Sequence, residues 1–239
     1  MKRGLIFGYG LVSYGVFFAT FLYAIGFLGN FGVPKSIDSA REAPLATALL
    51  IDLALLLLFA LQHSVMARPA FKRWWTRIIP AAAERSTYVL FSSVALIVLF
   101  AFWLPIGGVV WNVDSSAGRM ALYAGCAFGW ALLLVSTFQL NHFDLFGLRQ
   151  VWLCLLGKTY TPVPFRTPVL YRYVRHPLYI GWLFAIWCTP TMTVAHLVFA
   201  IGTTAYILIA IQLEEHDLLA AHPEYEDYRR RVPMLVPFT

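Results

Sequence analysis

Leu45 to Met66 reads Leu-Ala-Thr-Ala-Leu-Leu-Ile-Asp-Leu-Ala-Leu-Leu-Leu-Leu-Phe-Ala-Leu-Gln-His-Ser-Val-Met, an apolar run whose one formal charge is Asp52. A bilayer-crossing helix needs about 20 mostly apolar residues, and this run supplies them. Three more such runs stand at about Leu5 to Phe31, Thr87 to Val110 and Met120 to Leu140. A fifth apolar region, Leu178 to Leu213, is too long for one crossing and short for two. Thr189-Pro190-Thr191-Met192-Thr193 at its middle is a turn signal and makes it a helical hairpin. The chain is 60% hydrophobic and 13% charged, with a mean hydropathy of +0.70, whereas a soluble domain carries about 25% charged residues. The expected fold is therefore all-α: a polytopic integral membrane helical bundle of five or six transmembrane segments, including the C-terminal hairpin. Residues 1–239 read as one unit, with 1–140 a four-helix membrane part and 141–239 the part able to handle soluble ligands, ending in a cytoplasmic tail.

The basic residues orient the bundle. Lys2 and Arg3 lead the chain; Arg68, Lys72, Arg73, Arg77 and Arg85 fill one loop region, Arg149, Lys158, Arg166, Arg172 and Arg175 another, and Arg229, Arg230 and Arg231 the tail. Only Lys35, Arg41 and Arg119 fall in the alternate loops, so both ends and the two long polar loops are expected to face the cytoplasm. The net charge of +6 is then a matter of topology, and nucleic acid is not an expected partner. Leu5 to Phe31 is longer than a signal-peptide core and lacks a small-residue cleavage site after it, so an uncleaved first helix is expected. Cys126, Cys154 and Cys188 are too scattered for a disulfide framework or a zinc site. No metal is expected, and no obligatory protein partner is evident.

Chemistry concentrates in two constellations. Tyr171 to Gly181, Tyr-Arg-Tyr-Val-Arg-His-Pro-Leu-Tyr-Ile-Gly, places three cations and three tyrosines at the entrance to an apolar segment. Pro177 suits the first turn of a helix, which sets Arg175 and His176 just before a helix N-terminus, where backbone donors and the helix dipole favour an anion. Gly181, one turn in, permits close approach of a ligand or a neighbouring helix. The same cations also read as interfacial anchors for lipid headgroups. The second constellation, Glu214-Glu215-His216-Asp217-Leu218, leaves the apolar run at Leu213 and is followed by Pro223, Tyr225, Tyr228 and Pro233. Glu215, Asp217, Glu224, Glu226 and Asp227 read as the solvated face of an amphipathic helix. Glu214, the acid nearest the membrane, is singled out for function, since an acid at a hydrocarbon boundary is costly to leave unpaired.

Taken in order, Arg175, His176, Pro177, Tyr179 and Gly181, then Glu214, Glu215 and Leu218, then Tyr225, Tyr228, Val232 and Pro233 resemble the isoprenylcysteine carboxyl methyltransferase superfamily of membrane methyltransferases. The resemblance implies an S-adenosylmethionine pocket lined by His176, Pro177, Leu178 and Tyr179, with Arg175 and Gly181 in the same motif, Phe165 and Tyr171 just upstream, and Tyr225 and Tyr228 closing it from the tail. Two departures argue against a prenylcysteine substrate: the family's glycine before the first tail tyrosine gives way around His222-Pro223, and its arginine four residues before the acid pair is Ala210. Gln62-His63-Ser64-Val65-Met66-Ala67-Arg68, Glu84-Arg85-Ser86-Thr87-Tyr88 and Asn141 to Gln150 look like the bacterial methanethiol S-methyltransferase branch. That branch implies methylation of methanethiol, a small apolar thiol reaching the site through the lipid bilayer, to dimethyl sulfide in a bacterial inner membrane.

The implied reaction is a direct displacement by a thiolate, which needs a proton acceptor and in-line alignment. Glu214, His142, Asp144 and His176 are the candidate bases; Arg149, Arg172 and Arg175 are candidates for a carboxylate or a thiolate. His63 reads as hydrogen-bonded within the bundle, His196 as structural, and Asp52 as paired with a polar group. A reading of a different class has His63 and His142 ligating b-type haem in a nitrogen-oxide-related membrane module. A third keeps the fold and cofactor but changes the substrate to another small thiol, sulfide or a lipid amine.

Overall fold

The computed structural model describes residues 2–39 and 43–237; Arg41, one of the three basic residues assigned to the alternate loops, lies outside them. Among the described residues five helices are long and apolar enough to cross a membrane: α1 (Arg3–Gly29), α2 (Leu45–Ala67), α4 (Ala81–Phe102), α5 (Ser116–Gln139) and α9 (Val194–Ala221). Shorter elements lie between and after them: α3 (Pro69–Trp75), α6 (His142–Leu145), α7 (Leu148–Leu155), α8 (Pro177–Trp187) and α10 (Tyr225–Arg231). The protein is an all-α, multi-pass membrane bundle. Its outer surface is greasy, with Leu50, Leu53, Leu57, Leu58 and Leu61 of α2 exposed, as a lipid-facing helix demands. Phe27, Leu99, Phe100, Trp103, Trp130, Ile186 and Phe199 form the buried core.

Several boundaries depart from the apolar runs for local reasons. The third helix starts earlier and stops sooner than Thr87 to Val110, because Pro105 disfavours helix at the residue before it and Gly107-Gly108 follow. Val109 and Val110 instead belong to a strand, β1 (Val109–Asn112), paired antiparallel with β2 (Thr191–Thr193). The fourth helix gains a turn at its start, where the Ser115 side chain accepts a hydrogen bond from the Gly118 N–H at 3.1 Å.

The β1–β2 pair also defines the hairpin. It holds the α8–α9 turn beside the α4–α5 connection, on the face opposite the basic loops. α8 is the hairpin's short arm, about 17 Å of helix against about 42 Å for α9, so α9 outlasts the roughly 30 Å hydrocarbon core and carries its acidic end beyond it. α8 packs backbone to backbone on α5. A Cβ on Gly181 would lie 2.7 Å from the Gly129 carbonyl oxygen and the Leu133 nitrogen, and one on Gly129 would lie 2.5 Å from the Ala185 nitrogen. Small residues at such a crossing let two membrane helices touch. Buried polar groups are tied across the bundle in the same way: the Leu104 N–H donates to Asp52 at 2.9 Å, and His196 Nε2 donates to the Ile186 carbonyl at 2.8 Å.

Candidate active site

The start of α8 and the end of α9 meet at the basic face. His176 is the residue before Pro177 at the N-terminus of α8, and Glu215 on α9 is only 3% exposed. Arg175 Nε donates to Glu215 Oε1 at 2.7 Å and His176 Nε2 lies 3.0 Å from the same oxygen, while Arg229 Nε is 3.4 Å from Oε2. A charge buried this deeply is tolerated only when paired, and three partners surround it. Arg175 then fastens the tail: Nη1 donates to the carbonyls of Arg229 at 3.0 Å and Val232 at 2.5 Å. The Arg175 and His176 N–H groups donate to the Pro233 and Met234 carbonyls at 2.9 and 3.2 Å.

Above this clasp sits an aromatic box. Phe165 packs 5.8 Å from Tyr225 and 5.6 Å from Tyr228, ring centre to ring centre, and both contacts are edge-on. Its other side is His222, at 5.6 Å. The Tyr228 hydroxyl donates to the Tyr171 carbonyl at 2.6 Å. Tyr171, in the 3-10 turn Val169–Arg172, is buried, and its hydroxyl has no hydrogen-bond partner. Burial, with the charge of Glu214 nearby, pushes the Tyr171 phenol up; burial and then Glu215 do the same to Tyr225. Burial raises Tyr228 to about 12, against a smaller opposing pull from Arg175. All three phenols therefore remain hydrogen-bond donors at neutral pH.

Glu214 stands at the rim. Its side chain is 46% exposed, it accepts one hydrogen bond, from the Tyr179 hydroxyl at 3.1 Å, and it lies 3.9 Å from His176 Nδ1. The Tyr206 hydroxyl is 3.1 Å from Ser64 Oγ. Tyr88 is 2.8 Å from His63 Nε2, and His63 Nδ1 is 3.1 Å from Ser92. These polar pairs, Tyr179 with Glu214, Tyr206 with Ser64 and Tyr88 with His63, escape a reading of spacing alone, because their members come from four helices.

No family model matches the chain, and no solved structure does. Over all 239 residues it is 59% identical to the methanethiol S-methyltransferase of Crocosphaera subtropica, covering 94% of that protein. It is 55% identical over 239 residues to the methanethiol S-methyltransferase of Mycobacterium tuberculosis, covering 98% of it. Over 230 residues it is 53% identical to methanethiol S-methyltransferase 2 of Bradyrhizobium diazoefficiens, covering 88% of it.

The chain belongs to the methanethiol S-methyltransferase family.

In this methyltransferase Phe165, Tyr171, Arg175, His176, Pro177, Tyr179, Tyr225 and Tyr228 converge on the clasp and box just described. Leu178 turns the other way, against the apolar core, and Gly181 meets α5. His142, Asp144 and Arg149 gather elsewhere, around α6 and α7. His142 is buried, with Nε2 2.9 Å from the Tyr14 hydroxyl and Nδ1 2.8 Å from Thr137 Oγ1, and burial pulls its pKa down. Asp144 accepts from Arg149 at 2.8 Å and Tyr160 at 3.2 Å. Among the described residues no hydrogen bond, ion pair or ring contact joins this group to Glu214, His176 or Tyr179. Both ring nitrogens of His63 and of His142 are engaged by hydroxyls, which leaves neither imidazole a free lone pair for haem iron. Arg172 is exposed and donates to the Thr167 carbonyl at 3.4 Å. Glu215, read from sequence as solvated, is instead the acid at the centre of the clasp.

Proposed function

We infer that the protein methylates methanethiol to dimethyl sulfide with S-adenosylmethionine as donor, at the boundary between a bacterial inner membrane and the cytoplasm, with both described ends of the chain on the cytoplasmic side. Residues 141–239 form the cofactor-binding, catalytic part and 1–140 the membrane part. The observation that carries the reading within this family is the Tyr171 hydroxyl: a buried donor without a partner, beside an aromatic box and a carboxylate with acceptor capacity to spare. Buried polar groups in folded proteins are nearly always paired, so an orphan beside this box marks a place for a ligand atom. The donor set fits S-adenosylmethionine: Phe165, Tyr225 and Tyr228 offer ring faces and edges to an adenine, Tyr171 a donor to a polar ligand atom, Glu214 an acceptor to a cationic or hydroxyl group, and Arg172 a cation to a carboxylate. When bound, that cofactor supplies a sulfonium-activated methyl group to a thiolate.

The chain's own residues do the rest. Glu215 pairs with Arg175 and fixes the His176 ring, so the clasp contributes position. Glu214 is the candidate base with unused acceptor capacity, and it takes the thiol proton directly or through water. Asp144 and His142 are already engaged, and His176 is held by Glu215. A small apolar thiol partitions into the bilayer and arrives between helices, where Tyr88, Tyr206 and Tyr179 lead from the bundle to Glu214.

The test is headspace gas chromatography of detergent-solubilised protein supplied with S-adenosylmethionine and methanethiol, with hydrogen sulfide and a larger thiol in parallel. Dimethyl sulfide formed only with enzyme and cofactor supports the reading. Faster turnover of another thiol replaces methanethiol as the substrate, and absence of cofactor binding by calorimetry overturns the pocket.

A further inference from the structure

A second site lies away from the clasp, between the N-termini of α1 and α4, helix α3 and the chain just after α7. A cavity of 640 Å³ there is lined by Arg3, Lys72, Glu84, Arg85, Gln150 and Lys158, together with Ala81 and Ala82. Four cations face one acid, and among the described residues none of Arg3, Lys72, Arg85 and Lys158 makes an ion pair. Arg3 is held over the backbone at Gly157, where an added Cβ would meet its guanidinium, and Arg85 lies over the Tyr88 ring at 5.5 Å. Burial, and then the neighbouring Arg85, bring Lys72 below the ordinary lysine range. Four cations with one acid among them repel one another on balance, and an anion entering the cavity relieves that repulsion.

Two further features describe the anion. The N-terminus of α4 has no side-chain cap among the described residues, and its first residues, Ala81 and Ala82, line the cavity; the backbone donors of a helix start suit phosphate. Gln150 is buried, its Nε2 donates to the Asp144 carbonyl at 3.0 Å, and its Oε1 has no partner. That leaves an acceptor asking for a hydroxyl beside a cradle asking for a phosphate. The setting is the membrane boundary. Phe71, Trp74 and Trp75 of α3 pack at ring separations of 5.3 to 5.9 Å and Trp74 is exposed, as in the aromatic belts at bilayer surfaces.

We propose that this cavity binds the headgroup of an anionic glycerophospholipid, a phosphate diester carrying free hydroxyls, of which phosphatidylglycerol is the simplest. The inference is independent of the identity of the thiol and of the cofactor pocket. The lipid's phosphate is held by Lys72, Arg85 and Lys158 with the α4 N-terminus, and its glycerol hydroxyl is accepted by Gln150. The bound lipid ties α1, α3 and α4 together at the basic face.

The test is a lipid competition. Solubilised protein is mixed with vesicles of equal phosphatidylglycerol and phosphatidylcholine, repurified, and its retained lipid counted by native mass spectrometry. Wild type is expected to retain phosphatidylglycerol preferentially, and Lys72→Gln and Lys158→Gln each to lower the preference about fivefold. Lys158 is in an exposed connection, so its variant keeps the test decisive even where Lys72→Gln fails to fold. In a second competition, with vesicles of equal phosphatidylglycerol and phosphatidic acid, Gln150→Leu is expected to erase the advantage of phosphatidylglycerol, since phosphatidic acid has no headgroup glycerol. Equal retention of the two vesicle lipids by wild type overturns the proposal. So does displacement of the lipid by millimolar glycerol 3-phosphate, which reassigns the site to a soluble phosphate, or by S-adenosylmethionine, which reassigns it to the cofactor.

Discussion

Glu214 and Glu215 differ by one position, about 100° of rotation on a helix, and that rotation divides their work. Glu215 faces inward and is saturated by Arg175, His176 and Arg229; Glu214 faces the rim with one hydrogen bond accepted. Glu214→Gln keeps the Tyr179 contact but loses both the proton acceptor and the negative charge offered to the cofactor, so turnover should fall about 100-fold or more and S-adenosylmethionine affinity should fall by a smaller factor. Initial rates of dimethyl sulfide release beside calorimetry separate the two, and full activity in the variant returns Glu214 to a structural part. Tyr171→Phe removes a hydroxyl that has no hydrogen-bond partner among the described residues. Its melting temperature should therefore hold, while cofactor affinity drops about three- to tenfold, the worth of one hydrogen bond. A lowered melting temperature with unchanged affinity would mean that the hydroxyl serves the fold instead.

The helices themselves show which parts of this were legible beforehand. The long apolar runs announced their spans because roughly 20 apolar residues have few other places to go, and Pro177 announced the start of α8 because the first turn of a helix has no use for its missing N–H. The inward side of α9 was not legible. A helix apolar all round carries no stripe to show its rotation, so Glu215 could not be told from Glu214 without the arginine it meets. Tyr88 and Tyr206 stayed hidden for the same reason, as did the strand at Val109, which exists only because β2 lies beside it. Gly181 was ambiguous between a ligand and a helix neighbour, and the structure places α5 against it. Gly181→Ala should push α8 off Gly129 and Leu133 at a cost of about 1–3 kcal/mol, read as a lowered melting temperature. α10 supplies a pH prediction. Tyr228 ionises near 12 when folded and near 10 when unfolded, so the stability it lends is complete below about pH 10 and drains away as pH rises toward 12. Thermal unfolding across that interval should show the decline, and Tyr228→Phe should make it shallower, Tyr171 and Tyr225 supplying the rest.

At the scale of the whole molecule, charge and connectivity agree on two faces. The basic loops and the described ends of the chain share one, and the small sheet of β1 and β2 occupies the other. Single cysteines introduced by Lys158→Cys and Arg230→Cys should react with a membrane-impermeant maleimide in inverted vesicles, and Asp114→Cys should react in intact spheroplasts. The opposite pattern would invert the orientation, and with it the side from which the cofactor arrives. The clasp at Arg175 carries one more implication, this time for biosynthesis. Its acceptors at Arg229, Val232, Pro233 and Met234 leave the ribosome after all five spans. A nascent chain can therefore settle in the bilayer before the clasp that the proposed site depends on has closed. On the proposed site, a chain stalled before Arg229 should be inserted but inert.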